Sequence, residues 1–484
     1  MQSNNRYEAP VGVRLLFPVR EAREHVDNLL TDELLEAASR VALGPVTHTI
    51  DFAAFRAELA RFEFASPQPL EKLLRWTIKQ LEHGLVHVTH PRYFGLFNPS
   101  PTFAAQCADR IAGGFNPQLA TWTTSPVAVE IENYIIREIA RRTGLTAQAA
   151  GHFTSGGSEA NYTALICALT NAHPEFAVKG SRAFEGPPIF YVSKESHLAW
   201  LKIAHQAGIG RSGVHLIATD GCGRMDSDAL ASALNTDRAH GCIPIMIAAT
   251  AGTTNAGMID PLEACAKLAR SANLWYHIDA AWGGALIASD RYRHILRGIE
   301  QADSITIDAH KWFATTMGCG MFLTSHPLTL SSAFQVSTNF MPSNLLQLDP
   351  YITSVQWSRR FLGLRLFLSL GAAGWPGYAE HIERAIRLSA VLQSKLEASG
   401  WSIVNDSPVA VLCIRPPFGC ADVRSIVNRV LASGRGWVAA TVFESKDVIR
   451  TCITNGETSE SDLDELVAIL QDAATTGTRR QGSF

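Results

Sequence analysis

The middle of the chain is built from short apolar runs that do not alternate with polar residues, and this constrains the fold more than any other feature. Six runs follow one another: Pro188–Val192, Val214–Ala218, Ile243–Ala249, Leu274–Asp279, Ser304–Asp308 and Gly320–Thr324. Successive side chains of a strand point to opposite faces, so a strand with one wet face alternates. Strands without alternation are covered on both faces, as in a parallel sheet between layers of helices. Helical periodicity fills several gaps, at 159–171, 196–208, 226–235 and 261–272. This alternation predicts an α/β fold with a mostly parallel central sheet.

Two amphipathic helical patterns precede these runs, at about 21–41 and 68–84, the second after Pro67-Gln-Pro69. Gly371–Pro376 interrupts the pattern on the other side. Beyond it come a helix near 377–399, a strand-like Val409–Ile414, a helix near 421–433, a strand near Val448–Thr454 and a helix near 459–473. The expected organisation is an N-terminal helical segment over 1–85, a large domain over 86–375 and a small α+β domain over 376–484.

Charge narrows the function. With 45 acidic and 42 basic side chains the net charge is −3, and no basic block suits nucleic acid or a membrane surface. No apolar stretch is long enough to span a bilayer. The segment Met1–Pro10 lacks the basic-then-apolar layout of a secretory signal. The nine cysteines are scattered without Cys-x-x-Cys or metal-ligand spacing, so a cytoplasmic protein with reduced thiols and no metal is expected.

The chemistry sits at the tips of the apolar runs. Lys311 lies just past Ser304–Asp308, and Asp279, thirty-two residues upstream, closes Leu274–Asp279. A lysine and an aspartate at the ends of successive buried strands suit pyridoxal phosphate. The amine forms a Schiff base, and the carboxylate keeps the ring nitrogen protonated. Asp279 would also serve as a helix cap or a structural ion pair, and Lys311 as an ordinary surface lysine. Trp312-Phe313 after Lys311 instead suggest an apolar setting that sharpens the amine as a nucleophile. Thr154–Asn161 (Thr-Ser-Gly-Gly-Ser-Glu-Ala-Asn) precedes a helical run; its small residues let Gly157, Ser158 and free backbone N–H groups approach a phosphate, although an ordinary capped turn has the same composition. Thr254, in the Gly-Thr-Thr loop after Ile243–Ala249, suits a cofactor contact at a strand end, and Asp260-Pro261 leads from that loop into a helix. His310 would hydrogen-bond phosphate, orient substrate or simply pack. His197 would stack on a cofactor ring and take part in proton or oxygen chemistry, or do neither.

Together these motifs resemble the group II pyridoxal-phosphate decarboxylases, which include the aromatic-amino-acid, glutamate and diaminobutyrate enzymes. The resemblance rests on Ser155–Asn161, Ala251–Thr254, His277–Ala281 and Asp308–Trp312 in order, and runs from about His90 to Ile453. It implies a fold-type I, aspartate-aminotransferase-like homodimer with active sites at the subunit interface and N-terminal helices wrapped around the partner. It further implies that Lys311 carries the cofactor, Asp279 pairs with the ring nitrogen, and His197 stacks on the ring. Ala281 would pack beneath the ring, and Gly157, Ser158 and His310 would hold the phosphate. Arg360, or its neighbour Arg359, matches a family arginine near the site.

Two departures bear on the reaction. The aromatic branch has a loop tyrosine, twenty-nine residues beyond the lysine, that reprotonates the quinonoid carbanion after carbon dioxide leaves. Here that spacing falls on Phe340, and a phenyl ring has no proton to donate. In the family's aldehyde synthases this replacement accompanies decarboxylation coupled to oxidative deamination, with dioxygen as co-substrate. The competing expectations are simple decarboxylation, with Tyr351 as proton donor, and β-elimination from a cysteine conjugate; a non-catalytic scaffold is the reading of another class. The second departure is the substrate wall. Phe97-Asn98 and Trp122-Thr123-Thr124 suggest a partly polar pocket, as for the relatives in lincosamide-antibiotic pathways that process cysteine-conjugated sugars.

Overall fold

The computed structural model describes residues 10–336 and 349–475. The apolar runs form a seven-stranded sheet from β1 (Ala150–Thr154), β2 (Pro188–Ser193), β3 (Val214–Ile217), β4 (Ile243–Thr250), β5 (Trp275–Asp279), β6 (Ser304–Asp308) and β7 (Gly320–Thr324). Their spatial order is β1-β7-β6-β5-β4-β2-β3. The neighbours from β3 through β6 pair in parallel, and β7 is antiparallel to both β6 and β1. Every residue of β2, β5, β6 and β7 is buried, which is why these runs show no alternation. Sequence reading did not anticipate β1, because Gly151 and His152 interrupt its apolar character. Gly151 is required there: a Cβ would lie 2.0 Å from the carbonyl oxygen of Phe322 on β7.

Parallel pairing brings the C-terminal ends of β2, β4, β5 and β6 to one edge. Ser193, Thr250, Asp279 and Asp308 are the last residues of those four strands. The register places Thr250 beside Asp279, and Asp279 beside Thr306. Open α/β sheets bind ligands at such an edge.

The helix Gly363–Ala398 follows, kinked at Gly374, whose φ is +64°, two residues before Pro376. The break expected between 371 and 376 is therefore present, but the chain is helical on both sides of it. A second sheet, β8 (Ser402–Ile403), β9 (Val411–Arg415), β10 (Ala439–Phe443) and β11 (Lys446–Cys452), is antiparallel in the order β10-β11-β9-β8. Helix Val423–Ser433 packs on β10 and β11. Both β8 and β10 were missed, since one is two residues long and the other half-exposed. The two sheets are tied through Trp282. Its ring stacks on Trp312 at 4.6 Å and on Phe97 at 4.2 Å, and its indole N–H donates to the carbonyl of Val409 at 2.9 Å.

At the N-terminus the helix Arg20–Leu43 buries only Ala37 and leaves Leu34, Leu35 and Leu43 exposed. Helix Leu70–Gly84 lies against it. Among the described residues no helix is long and apolar enough to cross a membrane.

Three enclosed histidines make the fold sensitive to acid. Burial pushes the imidazoles of His152, His277 and His381 down to about 3, 4 and 4, against about 6.5 for a free histidine. As pH falls from about 6.5 to 4 the unfolded chain takes up protons on these groups that the folded chain does not, so their contribution to stability is lost across that window. Asp260, Glu132 and Glu195 act in the opposite sense, because burial raises their carboxyls, that of Asp260 to about 6. The expected result is a melting temperature that falls less steeply between pH 6.5 and 4 in His152→Phe than in the unmodified protein. Parallel profiles in the two proteins would contradict this assignment.

Candidate active site

At the sheet edge lies a cavity of about 310 Å³ that gathers most of the residues singled out in the sequence. Its walls come from the glycine loop 155–157 with Ser158, from His197, Thr254, Asp279 and Ala281, and from His310 and Lys311, with Phe97 and Trp282 closing one side. A larger hollow of about 680 Å³, between Cys222, Pro261 and Asp406, contains none of them.

Lys311 follows β6 on a tight turn and its Nζ lies 3.1 Å from Asp308 Oδ2. The expected apolar setting is thereby corrected: the amine is ion-paired with a buried carboxylate. Space for that carboxylate is made by two glycines. A Cβ on Gly157 would lie 2.9 Å from Asp308 Oδ2, and one on Gly320 would lie 2.7 Å from Oδ1.

Asp279 is buried and doubly held. Its Oδ1 accepts from the backbone N–H of Ala281 at 3.1 Å, and its Oδ2 accepts from Asn161 Nδ2 at 2.8 Å. An ionised carboxylate has about four lone-pair sites, so capacity remains for a donor from the cavity. Sequence reading quoted Asn161 only as the end of a motif. Its spacing, one helical turn beyond Gly157, was the available signal.

His197 sits in a turn secured by Ser193 and Ser196. Ser193 Oγ accepts from the N–H of Glu195 at 3.1 Å, and Ser196 Oγ lies 2.9 Å from Thr250 Oγ1 on β4. The helix expected from 196 starts at Ala199. The N–H of Ala199 donates to His197 Nδ1 at 3.1 Å, which leaves the proton of a neutral ring on Nε2. Burial lowers the His197 pKa; Asp279 opposes that shift, and Lys311 adds to it.

The phosphate-type cradle is the start of helix Gly157–Ala172, which has no side-chain cap. Glu159 turns back to accept from the N–H and hydroxyl of Ser155 at 2.8 and 2.7 Å, and also accepts from Gln356 Nε2. The first amides of the helix therefore face the cavity, where an anion is favoured. His310 Nδ1 lies 3.0 Å from the carbonyl oxygen of Cys319 and 3.2 Å from its N–H. The first contact calls for a hydrogen on Nδ1 and the second for one on Nε2, so either tautomer is held in place.

The two threonines of the 253–254 pair divide their work. Thr253 Oγ1 accepts from the N–H of Met258 at 3.0 Å and is fully buried, while Thr254 lines the cavity. Asp260 does more than lead into the next helix. Its carboxylate accepts from the N–H groups of Met225 and Thr250, both at 2.7 Å, and fixes the loop below the site.

The expected substrate residues are not all brought together. Phe97 lines the cavity, with Lys311 Nζ 5.8 Å and Arg450 Cζ 4.2 Å from its ring centre. Arg450, which sequence reading did not single out, is buried. Asn98 lies outside the cavity wall and its amide is 3.4 Å from Met317 Sδ. Trp122 faces a separate surface hollow and donates to Glu130 Oε1 at 2.9 Å. Arg360 is exposed and away from the cavity, and Arg359 is committed to a buried ion pair with Glu132 at 2.7 Å. Tyr351 is buried against Trp357 at 4.8 Å and is absent from the cavity wall. Phe340 lies outside the described residues.

An uncapped helix start beside a glycine that tolerates no Cβ, a buried carboxylate with open lone pairs and a lysine at the same edge together fit pyridoxal phosphate. Residues 60–415 match the pyridoxal-dependent decarboxylase conserved domain. The chain belongs to the group II pyridoxal-phosphate decarboxylase family. It is similar to tyrosine decarboxylase 2 of Narcissus pseudonarcissus, at 28% identity over 84% of this chain and 85% of the relative. It is also similar to 4-hydroxyphenylacetaldehyde synthase of Rhodiola rosea, at 25% identity over 84% and 86%. In fold it matches the crystal structure of Oryza sativa TDC with PLP and tryptamine, with a TM-score of 0.89, 22% identity and coverage of 95% and 99%.

The cradle predicts a sharp contrast between glycines. Gly157→Ala would push the Asp308 carboxylate and, with it, Lys311, weakening cofactor binding by about tenfold, which corresponds to about 1.4 kcal/mol. Gly113→Ala, in the helix Phe103–Phe115 with nothing within 4 Å of its Cβ, would leave binding unchanged. Fluorescence titration of the apoenzyme checks both; equal affinity in the two variants would contradict the role given to Gly157.

Proposed function

We propose that this enzyme removes the α-carboxylate of an L-amino acid and passes the product to dioxygen, releasing an aldehyde, carbon dioxide, ammonia and hydrogen peroxide. The decarboxylation half is supported by one cavity that holds Lys311, Asp279 and His197 together. Pyridoxal phosphate, when bound, supplies the electron sink for the pair of electrons freed at the α carbon. The backbone amides of Gly157 and Ser158, with the His310 ring, would bind the phosphate. Asp279 would accept a hydrogen bond from the ring N–H and so keep that nitrogen protonated, and Ala281 and His197 would confine the ring. Lys311 supplies the amine that attaches the cofactor, with Asp308 holding it in place between turnovers. Phe97 and Trp282 keep water from that side.

The oxidative half is carried by Phe340. It stands where the aromatic branch has its proton-donating tyrosine, and it has no proton to give. The electron pair at the α carbon then persists long enough to meet dioxygen. The amino acid with dioxygen and one water balances against aldehyde, carbon dioxide, ammonia and peroxide: dioxygen is reduced by two electrons and the α carbon is oxidised. The aldehyde synthase of Rhodiola rosea among the relatives supports this reading.

Simple decarboxylation to an amine is the second reading, favoured by the tyrosine decarboxylase relative. It needs another donor, and Tyr351 is packed on Trp357 away from the cavity wall. β-Elimination from a cysteine conjugate would need the α proton to leave in place of the carboxylate, and Asn98 and Trp122, which suggested such a substrate, lie outside the cavity wall. A scaffold role leaves the gathered Lys311, Asp279 and His197 without purpose. We take the enzyme to be a homodimer with shared active sites. Exposed Leu34, Leu35 and Leu43, with Phe103 and Phe115, are apolar side chains that a second copy would cover.

Oxygen uptake, peroxide and product mass measured on a panel of aromatic amino acids and cysteine conjugates test the reading. Oxygen should fall in step with carbon dioxide release as aldehyde forms, and Phe340→Tyr should move the product toward amine. Amine formed with no oxygen consumed, or an unchanged product in the variant, would overturn the oxidative half.

A further inference from the structure

Behind Asp279 a hydrogen-bond chain runs away from the cavity into the sheet. Asn161 Nδ2 donates to Asp279 Oδ2 at 2.8 Å, and Asn161 Oδ1 lies 3.0 Å from His277 Nε2. His277 Nδ1 lies 2.9 Å from Ser304 Oγ, which accepts from the indole N–H of Trp275 at 2.8 Å. All five residues are buried.

The chemistry of the members gives the chain one direction. An indole nitrogen only donates and an ionised carboxylate only accepts. Ser304 therefore keeps its own hydroxyl proton for His277 Nδ1. A neutral imidazole that accepts at Nδ1 donates at Nε2, here to Asn161 Oδ1, with Thr306 Oγ1 at 3.5 Å as a weaker neighbour. That orients the Asn161 amide with its NH₂ group toward Asp279. Burial keeps His277 neutral, as this scheme requires. A proton on Asp279 Oδ2 would meet the Asn161 NH₂ group, and turning that amide over would set its NH₂ against the Nε2–H of His277, so the chain holds Oδ2 as an acceptor. On the cavity side His197 and Lys311 line the same hollow as Asp279.

We propose that Asn161, His277 and Ser304 are positioning residues that keep the Asp279 carboxylate ionised and aimed at the cofactor's ring nitrogen. The inference rests on the reading of Asp279 as the ring-nitrogen partner. None of the three need touch the cofactor's ring nitrogen; they act through Asp279 by fixing a donor on its far side.

The test uses the purified holoenzyme and reads cofactor affinity and the absorption bands of the bound cofactor, alongside thermal stability. Asn161→Leu should raise the cofactor dissociation constant about tenfold and redistribute the bound-cofactor bands. Ser304→Ala should change both in the same direction but less, and Ser304→Thr, which keeps the hydroxyl donor, should restore them. Asp279→Asn is the reference. If it alters affinity and bands while folded Asn161→Leu and Ser304→Ala match the unmodified enzyme, the relay is refuted and the Asp279 reading stands. If Asp279→Asn itself leaves both unchanged, the Asp279 reading falls and the relay with it. Should Asn161→Leu fail to fold, the Ser304 pair decides: equal bands and affinity in the alanine and threonine variants would overturn the proposal.

Discussion

A carboxylate buried at the end of a parallel strand is the costly feature around which this site is arranged. Moving an ion of that kind out of water costs several kcal/mol even after the protein relaxes, and it persists only where donors surround it. For Asp279 the donors within the chain are one backbone amide and Asn161. The strand that carries it can be apolar along its length because the parallel sheet covers both faces. Its neighbour β6 ends in a second buried carboxylate, Asp308, which holds Lys311. One geometric fact, the shared edge of β4, β5 and β6, thus sets a cation and two anions around a single hollow.

Much of this was legible in the sequence, for a physical reason. Strands buried on both faces write continuous apolar runs, and ligand residues appear as the polar tips of those runs, so Asp279, Lys311 and the Thr253-Thr254 loop stood out. What escaped was what depends on contacts distant in sequence. Strand β1 carries Gly151 and His152 because of its fit against β7, which no local pattern records. The setting of Lys311 was read from Trp312 and Phe313, but Asp308, one turn back, governs it. Asp260 read as part of a loop leading to a helix, although it clamps two backbone amides from separate elements. Trp122 and Arg360 were grouped with the site by resemblance, and within one chain they lie elsewhere.

The division of labour follows from these distances. The residues proposed to hold the cofactor sit on strand ends and on the first turn of a helix, where backbone geometry leaves little freedom. The residue expected to decide the fate of the electron pair, Phe340, belongs to a different stretch of chain, after the helix Pro327–Phe334. Relatives named as decarboxylases and one named as an aldehyde synthase match the same long stretch of this chain.

The central claim is that Lys311 is the point of attachment of the cofactor. Reduction of the holoenzyme with borohydride followed by peptide mass mapping tests it most directly, because reduction makes the lysine–cofactor bond permanent. The account predicts a phosphopyridoxyl group on the peptide that contains Lys311 and on no other. The same group on a different lysine, or a Lys311 peptide of unmodified mass from fully loaded enzyme, would contradict it.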